Sequence, residues 1–570
     1  MRFPAPPVIE ALGDAALAVR WGDAIDADLN RSVHAAAARL RQGAPAWLLD
    51  VVPAYASLAV YFDGAAVSPT DVGAFVAARI GTGGETAQPA SPGRPVVAIP
   101  VRYGGDDGPD LDDLAARCGQ SPEAVIAAHA GGDYTVAMLG FSPGFPYLLG
   151  LDPALAAPRL ATPRTLVPAG SVGIGGAQTG IYPDAGPGGW RLIGRTPLAL
   201  FDPARDPPSL LQPGDRVRFE SVAAWPDDRP PTRVAAAPAG PVIDVIAPGL
   251  QTTVQDRGRS GHRHLGVGIA GALDAYSARV ANRLAGADDD AALLEIALVG
   301  PRLRFGAATR IAITGADIEA RIGPHVVPGW RPVDVAAGSE LVFGACRRGT
   351  RAYLAIAGGI GVPRVLGSAS TDLRGGFGGW HGRALRAGDA LPFSDAASLA
   401  AGRRGDDAAT PDAPGIARWW VDPTPDLDFD DARTIRVLPG RDATSPSDAL
   451  CTTRWRVDAR ADRQGLRLDG APLVPATHGE RVSAPVAPGT VQLPPDGRPI
   501  VLLGEAQTIG GYPVIAHVIA ADLPRLVQRR AGERVRFEPV DAGTATRIAC
   551  GQRARLARMT LALERRARDA

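Results

Sequence analysis

Lysine is absent from the 570-residue sequence, so all 60 cationic side chains are arginines. This absence excludes every mechanism that needs a lysine on this chain. A Walker A phosphate loop, a Schiff-base enzyme, an amidase with a Ser-Ser-Lys triad and a biotin carrier all fall in that group. The sequence is rich in alanine, glycine, proline and arginine, and a codon bias of that kind explains the absence without changing what it excludes.

Cysteine is scarce, and long apolar runs are missing. The four cysteines, Cys118, Cys346, Cys451 and Cys550, form no CxxC pair, which argues against a zinc ribbon or redox motif and favours buried reduced thiols. The N-terminus lacks a signal-peptide pattern, and no apolar run is long enough to span a membrane, so we expect a cytoplasmic protein without a membrane partner. Sixty acidic side chains balance the arginines, which disfavours nucleic acid as a partner.

The length predicts about three to five domains at roughly 100 to 200 residues each. Alternating strands and two helical stretches before residue 90 indicate a small α+β unit, and short apolar strands broken by Gly and Pro dominate the rest. The fold class is therefore mainly β with α+β. We divide the chain into an N-terminal α+β domain (1–90), a β-barrel (91–222), a linker (223–241), a β domain (242–400), a second linker (401–432), a second β-barrel (433–541) and an Arg-rich helix (542–570).

An internal repeat indicates two related halves. Ala-Gln-Thr-Gly-Ile-Tyr-Pro at 177–183 recurs as Ala-Gln-Thr-Ile-Gly-Gly-Tyr-Pro at 506–513, and Gly-Asp-Arg-Val-Arg-Phe-Glu at 214–220 recurs as Gly-Glu-Arg-Val-Arg-Phe-Glu at 532–538. A looser third copy of the ending lies at 385–393. A Gly turn that leads into an alternating strand is a plausible closing strand of a barrel. We therefore predict one related barrel in each half.

The string Gly140-Phe-Ser-Pro-Gly144 matches the G-x-S-x-G nucleophile elbow of serine hydrolases. That elbow uses the backbone N–H after the serine in its oxyanion hole, and Pro143 has none. We therefore favour a tight loop over a hydrolase site. His262 and His264 offer two imidazoles without a third ligand at a motif spacing, so loop histidines are the better interpretation than a metal site.

Glycine-rich loops and arginines are the remaining chemical signals. Backbone N–H groups in the loops at 187–190, 358–361 and 367–376 could bind phosphate or carboxylate oxygens, although ordinary turns are the simpler interpretation. With lysine missing, the candidate clamps for such anions are Arg164, Arg195 and Arg383. His129 ends a predicted helix, where either a structural or a catalytic role is open.

Long strings of the first half resemble the family of bacterial 5-oxoprolinase B subunits, which is also labelled allophanate hydrolase subunit 1 or kinase-inhibitor protein. The strings that carry the resemblance are Leu139-Gly-Phe-Ser-Pro-Gly-Phe-Pro-Tyr147, Val167-Pro-Ala-Gly-Ser-Val172, Gln178-Thr-Gly-Ile-Tyr-Pro183 and Gly188-Gly-Trp190.

Residues from about 243 onward resemble the family of 5-oxoprolinase C subunits, also called biotin-dependent carboxyltransferase-like. The matching strings are Pro248-Gly-Leu-Gln-Thr-Thr-Val-Gln-Asp-Arg-Gly-Arg259, Gly271-Ala-Leu-Asp274, Gly367-Ser-Ala-Ser-Thr371 and Gln507-Thr-Ile-Gly-Gly-Tyr-Pro513. The chain looks like a fusion of the B and C subunits. The sequence departs from the second pattern at three places, which are Pro439-Gly440-Arg441, the segment 461–465 and Glu505-Ala506.

The resemblance implies cyclophilin-like β-barrels and ATP-dependent opening of 5-oxo-L-proline to L-glutamate, together with a separate chain, the 5-oxoprolinase A subunit. ATP and Mg²⁺ enter as cofactors through the resemblance alone, with no biotin attached to this chain and a small-molecule amide as substrate. Two alternatives stay open: a carboxyltransferase of a biotin-dependent, urea-carboxylase-type system, and a regulatory protein that inhibits a histidine kinase. A homo-oligomer also stays open.

The resemblance implies two groups of site residues. The expected catalytic residues are His129, Arg164, Arg195, Asp256, Asp274 and Arg383, with the arginines neutralising anionic groups and the two aspartates holding Mg²⁺ or orienting groups. The expected substrate- or nucleotide-binding residues are Gln178, Thr179, Tyr182, Gly188, Gly189, Arg259, Asn282, Ser368, Ser370, Thr371, Gln507, Thr508 and Tyr512. No residue is assigned as a resident metal ligand.

Overall fold

The computed structural model describes residues 7–81, 95–225, 240–393, 409–427, 429, 434–443, 445–474 and 481–569. Most of the predicted linker 223–241, part of the linker 401–432 and the tip of the tail lie outside these residues. No helix in the described part of the chain combines the length and apolar composition that a membrane crossing requires.

The N-terminal domain is an antiparallel sheet covered by two helices. Its strands pair in the order β1-β2-β4-β3, and Leu17 lies opposite Val60. Asp26 caps the first helix by accepting a hydrogen bond from the Leu29 N–H, which fixes where the helix begins. The predicted strands and helices of this region are confirmed. The elements are β1 (Val8–Ala11), β2 (Ala16–Arg20), α1 (Ala27–Arg41), β3 (Leu48–Pro53), β4 (Ser57–Phe62) and α2 (Pro69–Gly81).

The next segment forms a closed seven-stranded barrel in the order β10-β7-β6-β13-β5-β12-β9. A two-stranded sheet of β8 and β11 lies beside it. The elements are β5 (Val97–Tyr103), α3 (Leu111–Cys118), α4 (Pro122–Ala130), β6 (Tyr134–Leu139), β7 (Pro146–Leu149), β8 (Arg164–Val167), β9 (Ser171–Gly175), β10 (Gln178–Ile181), β11 (Gly186–Gly188), β12 (Arg191–Arg195) and β13 (Arg216–Ser221).

The second half begins with a ten-stranded sheet around the long antiparallel pair of β18 and β21. Residues 409–427 differ from the predicted linker, because β23 joins this sheet and Leu427 is buried. The elements are β14 (Val242–Ala247), β15 (Gln251–Gln255), α5 (Ala275–Ala285), β16 (Leu293–Ala297), β17 (Arg302–Phe305), β18 (Thr309–Ile322), β19 (His325–Val326), β20 (Pro332–Val335), β21 (Glu340–Ile356), β22 (Ala390–Pro392) and β23 (Gly415–Ile416).

An eight-stranded, nearly closed barrel follows in the order β32-β25-β26-β29-β28-β31-β24-β33, with β27 and β30 as a separate pair. The C-terminal helix packs through Leu556 on the core beside α5. The elements are β24 (Ile435–Pro439), α6 (Ser445–Thr452), β25 (Trp455–Val457), β26 (Gly465–Asp469), β27 (Ala484–Pro485), β28 (Thr490–Gln492), β29 (Ile500–Leu502), β30 (Ile509–Gly510), β31 (Val514–Val518), α7 (Leu523–Val527), β32 (Arg534–Val535), β33 (Phe537–Pro539) and α8 (Ala542–Asp569).

The predicted closing strands are confirmed, and the two barrels are related. β13 runs parallel to β5 and antiparallel to β6, while β33 runs parallel to β24 and β32 antiparallel to β25. The Ala-Gln-Thr repeat behaves differently. Its first copy forms barrel strand β10, whereas the second copy contributes to β30 outside the barrel. The two copies of that sequence therefore do not form equivalent strands.

All four cysteines lie in the described part of the chain, and they carry thiols rather than disulfides. Cys346 is buried, but Cys550 is exposed on α8, so the expectation of buried thiols is wrong for Cys550. Burial raises the pKa of Cys346 to about 11, which keeps it a protonated, unreactive thiol at neutral pH.

Candidate functional site

The loop between β6 and β7, in the first half of the chain, packs against the second half. The Gly144 N–H donates a 2.8 Å hydrogen bond to the Leu265 carbonyl, and Leu139 pairs with Leu265 in a parallel bridge. Gly140 lies so close to β30 that an added Cβ would stand 2.2 Å from Cγ1 of Ile509. The loop is therefore part of an interface between the halves, and we call this interface the seam.

Ser142 in this loop does not form a nucleophile elbow. It is buried, its N–H donates to the Gly140 carbonyl at 2.7 Å, and strand β7 follows at Pro146 where the elbow would need a helix. An added Cβ at Gly266 would lie 2.3 Å from the Ser142 carbonyl oxygen, so the loop is covered by the second half. The structure supports the tight-loop interpretation over the hydrolase.

An aromatic wall lines the barrel side of the seam. The ring centroid of Phe145 lies 4.9 Å from that of Tyr147, 5.2 Å from Tyr182 and 5.4 Å from Trp190, mostly in edge-to-face contact. The same core includes Ile509 from the second half. Burial raises the pKa of Tyr147 and of Tyr182 to about 12, so both phenols stay protonated and can donate hydrogen bonds.

Arg374, from the second half, reaches across the seam to the β6–β7 loop. Its guanidinium carbon lies 4.6 Å from the ring centroid of Phe141. Among the described residues the Arg374 side chain makes no hydrogen bond and no ion pair. Burial lowers the pKa of Arg374, and the negative charge of Asp372 opposes that shift. The guanidinium of Arg374, which stays charged at ordinary pH, therefore lies at the seam in contact with the face of the Phe141 ring.

Asp184 lies near Arg374 and is exposed. The surrounding protein displaces enough water to raise the pKa of Asp184 to about 6, and the like charge of Asp372 adds to this while Arg374 opposes it. The aspartate therefore changes charge close to neutral pH.

Several buried polar atoms of the seam lack a hydrogen-bond partner within the described part of the chain. They are the Tyr55 hydroxyl, the Thr508 hydroxyl and Nε2 of Gln492. Buried polar groups are normally satisfied, so atoms left open mark a place where a polar ligand or water completes the network. We call the following set the junction cluster: Tyr55, Phe141, Tyr147, Arg159, Tyr182, Asp184, Arg374, Ser483 and Thr508.

A buried charge network lies in the second half beside the seam. Arg463 donates to Glu295 and to Glu505, and Arg351 donates to Glu295 at 2.9 Å. Desolvation alone would raise the pKa of Glu295, but Arg463 and Arg351 hold it below its usual range. For Glu505, burial and the nearby charge of Asp372 leave the pKa raised. Two guanidinium groups thus balance two carboxylates.

The three arginines predicted as anion clamps are not brought together. Arg164 makes two hydrogen bonds with Asp110 at 2.8 and 2.7 Å, and Arg383 makes two with Asp389 at 2.8 Å. Arg195 donates to the Ala169 carbonyl at 2.8 Å and lies 4.0 Å from Asp107. Arg164 and Arg383 are thus already paired with carboxylates, so we correct their clamp assignment to a structural one. The clamp role of Arg195 stays a prediction.

The two aspartates expected to hold Mg²⁺ do not fit a metal. Asp256 accepts from the hydroxyls of Ser368 and Ser370 at 2.6 and 2.5 Å. Asp274 caps α5, accepting from the Ser277 hydroxyl at 2.6 Å and from Gln528 at 2.9 Å. Hydrogen-bond donors of the protein therefore already bind the oxygens of both carboxylates. The described residues also contain no group of three or more His, Cys, Asp or Glu side chains placed to hold an ion.

His129 lies in the interior of the first barrel with both ring nitrogens occupied. The Tyr103 hydroxyl is 2.8 Å from Nδ1, and the Thr179 hydroxyl is 3.0 Å from Nε2. Burial lowers the pKa of His129 to about 3. A neutral, fully enclosed imidazole is a core residue, so the structural alternative holds for His129. The buried Gln178 lies on the same strand as Thr179.

The remaining predicted binding residues fall into two groups. Tyr182 and Thr508 belong to the junction cluster, and Gly188 packs against the Tyr182 ring. The others lie apart from the junction cluster or support the loops around it. They are Gly189 beside Pro163, Arg259 under the Ser370 carbonyl, Asn282 on α5, the buried Ser368, Ser370 and Thr371, Gln507 hydrogen-bonded to Gln492, and the exposed Tyr512.

Sequence reasoning missed the residues that complete the seam. Arg374 and Asp184 stand beside motifs that were recognised, and Arg159 follows Pro158 in a string that also resembles the B-subunit family, but none of the three was assigned to the site. The available signal was position: Arg374 lies between the Thr371 and Gly375-Gly376 segments of one glycine-rich loop. His262 and His264 flank Arg263 at the seam, and His264 Nδ1 lies 3.5 Å from Asp50, a contact between domains and not a metal site.

Comparison with known proteins defines the class. A carboxyltransferase-domain family, subdomains C and D, matches residues 7–211, and its subdomains A and B match residues 265–539. The chain therefore carries both parts of a carboxyltransferase-type domain, with the C and D part first.

Close relatives give the family itself. The chain is 46% identical over 225 residues to the B subunit of 5-oxoprolinase from Bacillus subtilis, covering 38% of this chain and 92% of that protein. It is 39% identical over 302 residues to the C subunit of 5-oxoprolinase from Escherichia coli, covering 52% of this chain and 90% of that protein. The chain belongs to the family of 5-oxoprolinase B and C subunits and joins both in one polypeptide.

The whole architecture has a counterpart among solved structures. The crystal structure of TTHA0988 is 38% identical, covers 92% of this chain and 99% of that one, and superposes with a TM-score of 0.77. Urea amidolyase of Lachancea kluyveri is also similar, at 32% identity over 325 residues, which is 54% of this chain but 17% of that protein.

Proposed function

We propose that this chain supplies the B and C subunits of an ATP-dependent 5-oxoprolinase and acts with a separate A subunit. The observation that supports this most is that counterparts of nearly complete B and C subunits stand on one chain and meet at the junction cluster. Its substrate is the lactam of 5-oxo-L-proline, which is opened to L-glutamate.

The chemistry follows from the stability of a lactam. Transfer of the ATP γ-phosphoryl group to the amide oxygen gives an imidate-type phosphate and ADP. A first water adds to the activated carbon and the C–N bond breaks, which leaves a free amine and an acyl phosphate; a second water then hydrolyses the acyl phosphate to the carboxylate and inorganic phosphate. Such a reaction needs positioning and charge neutralisation more than a protein nucleophile. The junction cluster offers an aromatic wall for a flat ring, tyrosine hydroxyls for an amide oxygen, and a guanidinium.

Contacts within the chain already occupy four of the residues that were expected to serve ATP and Mg²⁺. Arg164 and Arg383 are paired with aspartates, and donors fill Asp256 and Asp274. We therefore assign the amide substrate to this chain, and ATP to the A subunit or to the surface between the two proteins.

The direct test is ADP and glutamate release by the purified chain with Mg-ATP and 5-oxo-L-proline, with and without the purified A subunit of a relative. Substrate-dependent release of both products with the two proteins together, and with neither alone, is the expected result. Equimolar ADP and glutamate would indicate that hydrolysis and ring opening are coupled. ADP release without glutamate, or no turnover in any mixture, would overturn the proposal.

A carboxyltransferase role is the second candidate, favoured by the similarity of this chain to urea amidolyase over 325 residues. Because this chain has no lysine to carry biotin, that role needs a biotinylated carrier on another protein. Carboxyl transfer from a ¹⁴C-carboxylated carrier to an amide substrate, in the presence of this chain and without ATP, would favour the second candidate over the first.

A further inference from the structure

Arg374 differs from the other arginines around the seam. Arg463 binds two carboxylates, Arg263 covers the Tyr61 ring while its N–H donates to Asp50, and Arg441 pairs with Asp23 at 2.7 Å. Among the described residues the Arg374 guanidinium has neither an ion pair nor a hydrogen bond, and the Phe141 ring lies against it. Within that part of the chain, Arg374 is a half-buried cation without an anion.

Such an arrangement has a cost. A guanidinium carries five N–H donors and stays charged at all ordinary pH values. Arg374 is half-buried, and none of its nitrogens is among the fully enclosed polar atoms without a partner, so the donors stay reachable from solvent. Partial loss of hydration is unfavourable for a charged group, and contact with an aromatic face offsets part of that cost. Asp372, Asp184 and Asp462 are near enough to influence Arg374, but none lies within ion-pair distance. The donors are therefore open to an anion that enters the seam.

The surroundings restrict the size and shape of that anion. Phe141 covers Arg374 on one side, and the ring centroid of Phe141 lies 6.0 Å from that of Tyr182. The Tyr147 hydroxyl, hydrogen-bonded to Ser483, is close enough to Arg374 for each to affect the pKa of the other. A planar carboxylate suits a guanidinium, since two parallel hydrogen bonds can form. The neighbouring rings suit a small flat cyclic group.

We propose that Arg374 is the carboxylate-binding residue of the junction cluster and sets its specificity for small cyclic amides that carry a carboxylate. The inference rests on the proposed function for the identity of the lactam, and on the contacts of Arg374 for the carboxylate. It assigns this residue to substrate binding and gives it no role in phosphoryl transfer.

The test compares two lactams that differ by the carboxylate. Binding of 5-oxo-L-proline and of 2-pyrrolidinone to the full chain is measured by titration calorimetry for the wild type, Arg374→Gln, Arg374→Lys and the control Arg216→Gln. Arg216 lies exposed on β13 beside Asp133, away from the seam. Unfolding temperatures establish that each variant is folded, and Arg374→Lys retains charge if Arg374→Gln proves unstable.

We expect Arg374→Gln to weaken 5-oxo-L-proline binding about 10- to 100-fold, since charge-assisted hydrogen bonds contribute on that scale. Binding of 2-pyrrolidinone should be unchanged, Arg374→Lys should be intermediate, and Arg216→Gln should match the wild type. Equal 5-oxo-L-proline affinity in wild type and Arg374→Gln would overturn the assignment.

A carboxylate series separates failure of this inference from failure of the proposed function. If the wild type binds neither lactam, with or without the A subunit of a relative, the lactam function fails, and acetate, L-proline and benzoate are titrated in the same way. Binding of one of these that Arg374→Gln loses would uphold the carboxylate assignment. Binding of none of them would overturn it.

Discussion

The carboxylate of Asp50, in the N-terminal sheet, accepts a 2.7 Å hydrogen bond from the backbone N–H of Arg263 in the second half. His264 also approaches this carboxylate, and the two contacts hold the pKa of Asp50 below its usual range despite burial. The N-terminal domain is therefore tied to the loop that meets Gly144.

Replacing Asp50 with Ala should weaken the contact between the N-terminal domain and the second half. The buried N–H of Arg263 loses its acceptor, which costs about 1–3 kcal/mol in the free energy of unfolding. Urea unfolding followed by tryptophan fluorescence measures this loss. Asp133→Ala, at an exposed ion pair, is the matched control and should leave the unfolding midpoint almost unchanged. An Asp50→Ala midpoint equal to that of the control would argue against the tie.

Gly140→Ala should disrupt the seam by overpacking. The new Cβ would meet Cγ1 of Ile509 at 2.2 Å, and such crowding costs about 1–3 kcal/mol in the free energy of unfolding. Ile509→Ala in the same chain should restore part of the loss, because it removes the clashing atom. Gly186→Ala, with open space around its Cβ position, is the control. Additive effects of the two seam substitutions would contradict a direct clash.

Arg463→Met should be strongly destabilising. It would leave Glu295 and Glu505 buried with one guanidinium fewer, a loss of about 3–5 kcal/mol in the free energy of unfolding. Arg460→Met, three residues earlier at an exposed pair with Asp458, should change the unfolding midpoint little. Adding Glu505→Gln to Arg463→Met should recover stability, as one uncompensated charge disappears. No recovery would mean that the lost packing of Arg463, and not its charge, dominates.

His129 should make the protein less stable in mild acid. Its pKa is about 3 when folded, whereas an unfolded histidine titrates near 6.5, so the unfolded chain binds more protons between these values. Stability then falls as the pH drops below 6.5, by about 1.4 kcal/mol per pH unit for this group. His517, with a pKa of about 4, acts in the same direction. Urea unfolding at pH 7.5 and 5.0 should show a shallower loss for His129→Gln than for the wild type.

Asp184 should make anion binding depend on pH. Below its pKa of about 6 the carboxyl is neutral, so the field at Arg374 becomes more positive and 5-oxo-L-proline should bind more tightly at pH 5.5 than at pH 7.5. Asp184→Asn should bind at pH 7.5 as tightly as the wild type does at low pH, with a flat profile. Titrations across pH 5 to 8 measure this, and a pH profile shared by wild type and variant would assign the effect elsewhere.

The strands, the first helices and the barrel closure could be predicted from the sequence because each leaves a local pattern. Alternating apolar residues mark Ala16–Arg20, and a Gly turn before an alternating strand marks β13 and β32. The Ala-Gln-Thr repeat did not predict equivalent strands, because similar sequences can form strands with different partners. Only the strand pairing shows that β10 belongs to a barrel and β30 does not.

The seam left no such pattern. Gly140 meets Ile509 and Phe141 meets Arg374 across more than 200 residues, and neither periodicity nor motif spacing reports contacts of that separation. The clamp assignments of Arg164 and Arg383 failed for a related reason. In a chain with 60 arginines and 60 acidic residues, the sequence does not show which guanidinium already has a carboxylate beside it, as Arg164 has in Asp110.

Joining both walls of the seam in one polypeptide also changes how the site responds to dilution. Relatives carry the corresponding halves as separately named B and C subunits, whose encounter depends on their concentrations. Here one polypeptide carries both halves, and covalent linkage of two binding partners supplies an effective concentration on the order of millimolar. Assembly of the junction cluster is thus unimolecular, so it persists at protein levels where two independent chains would separate.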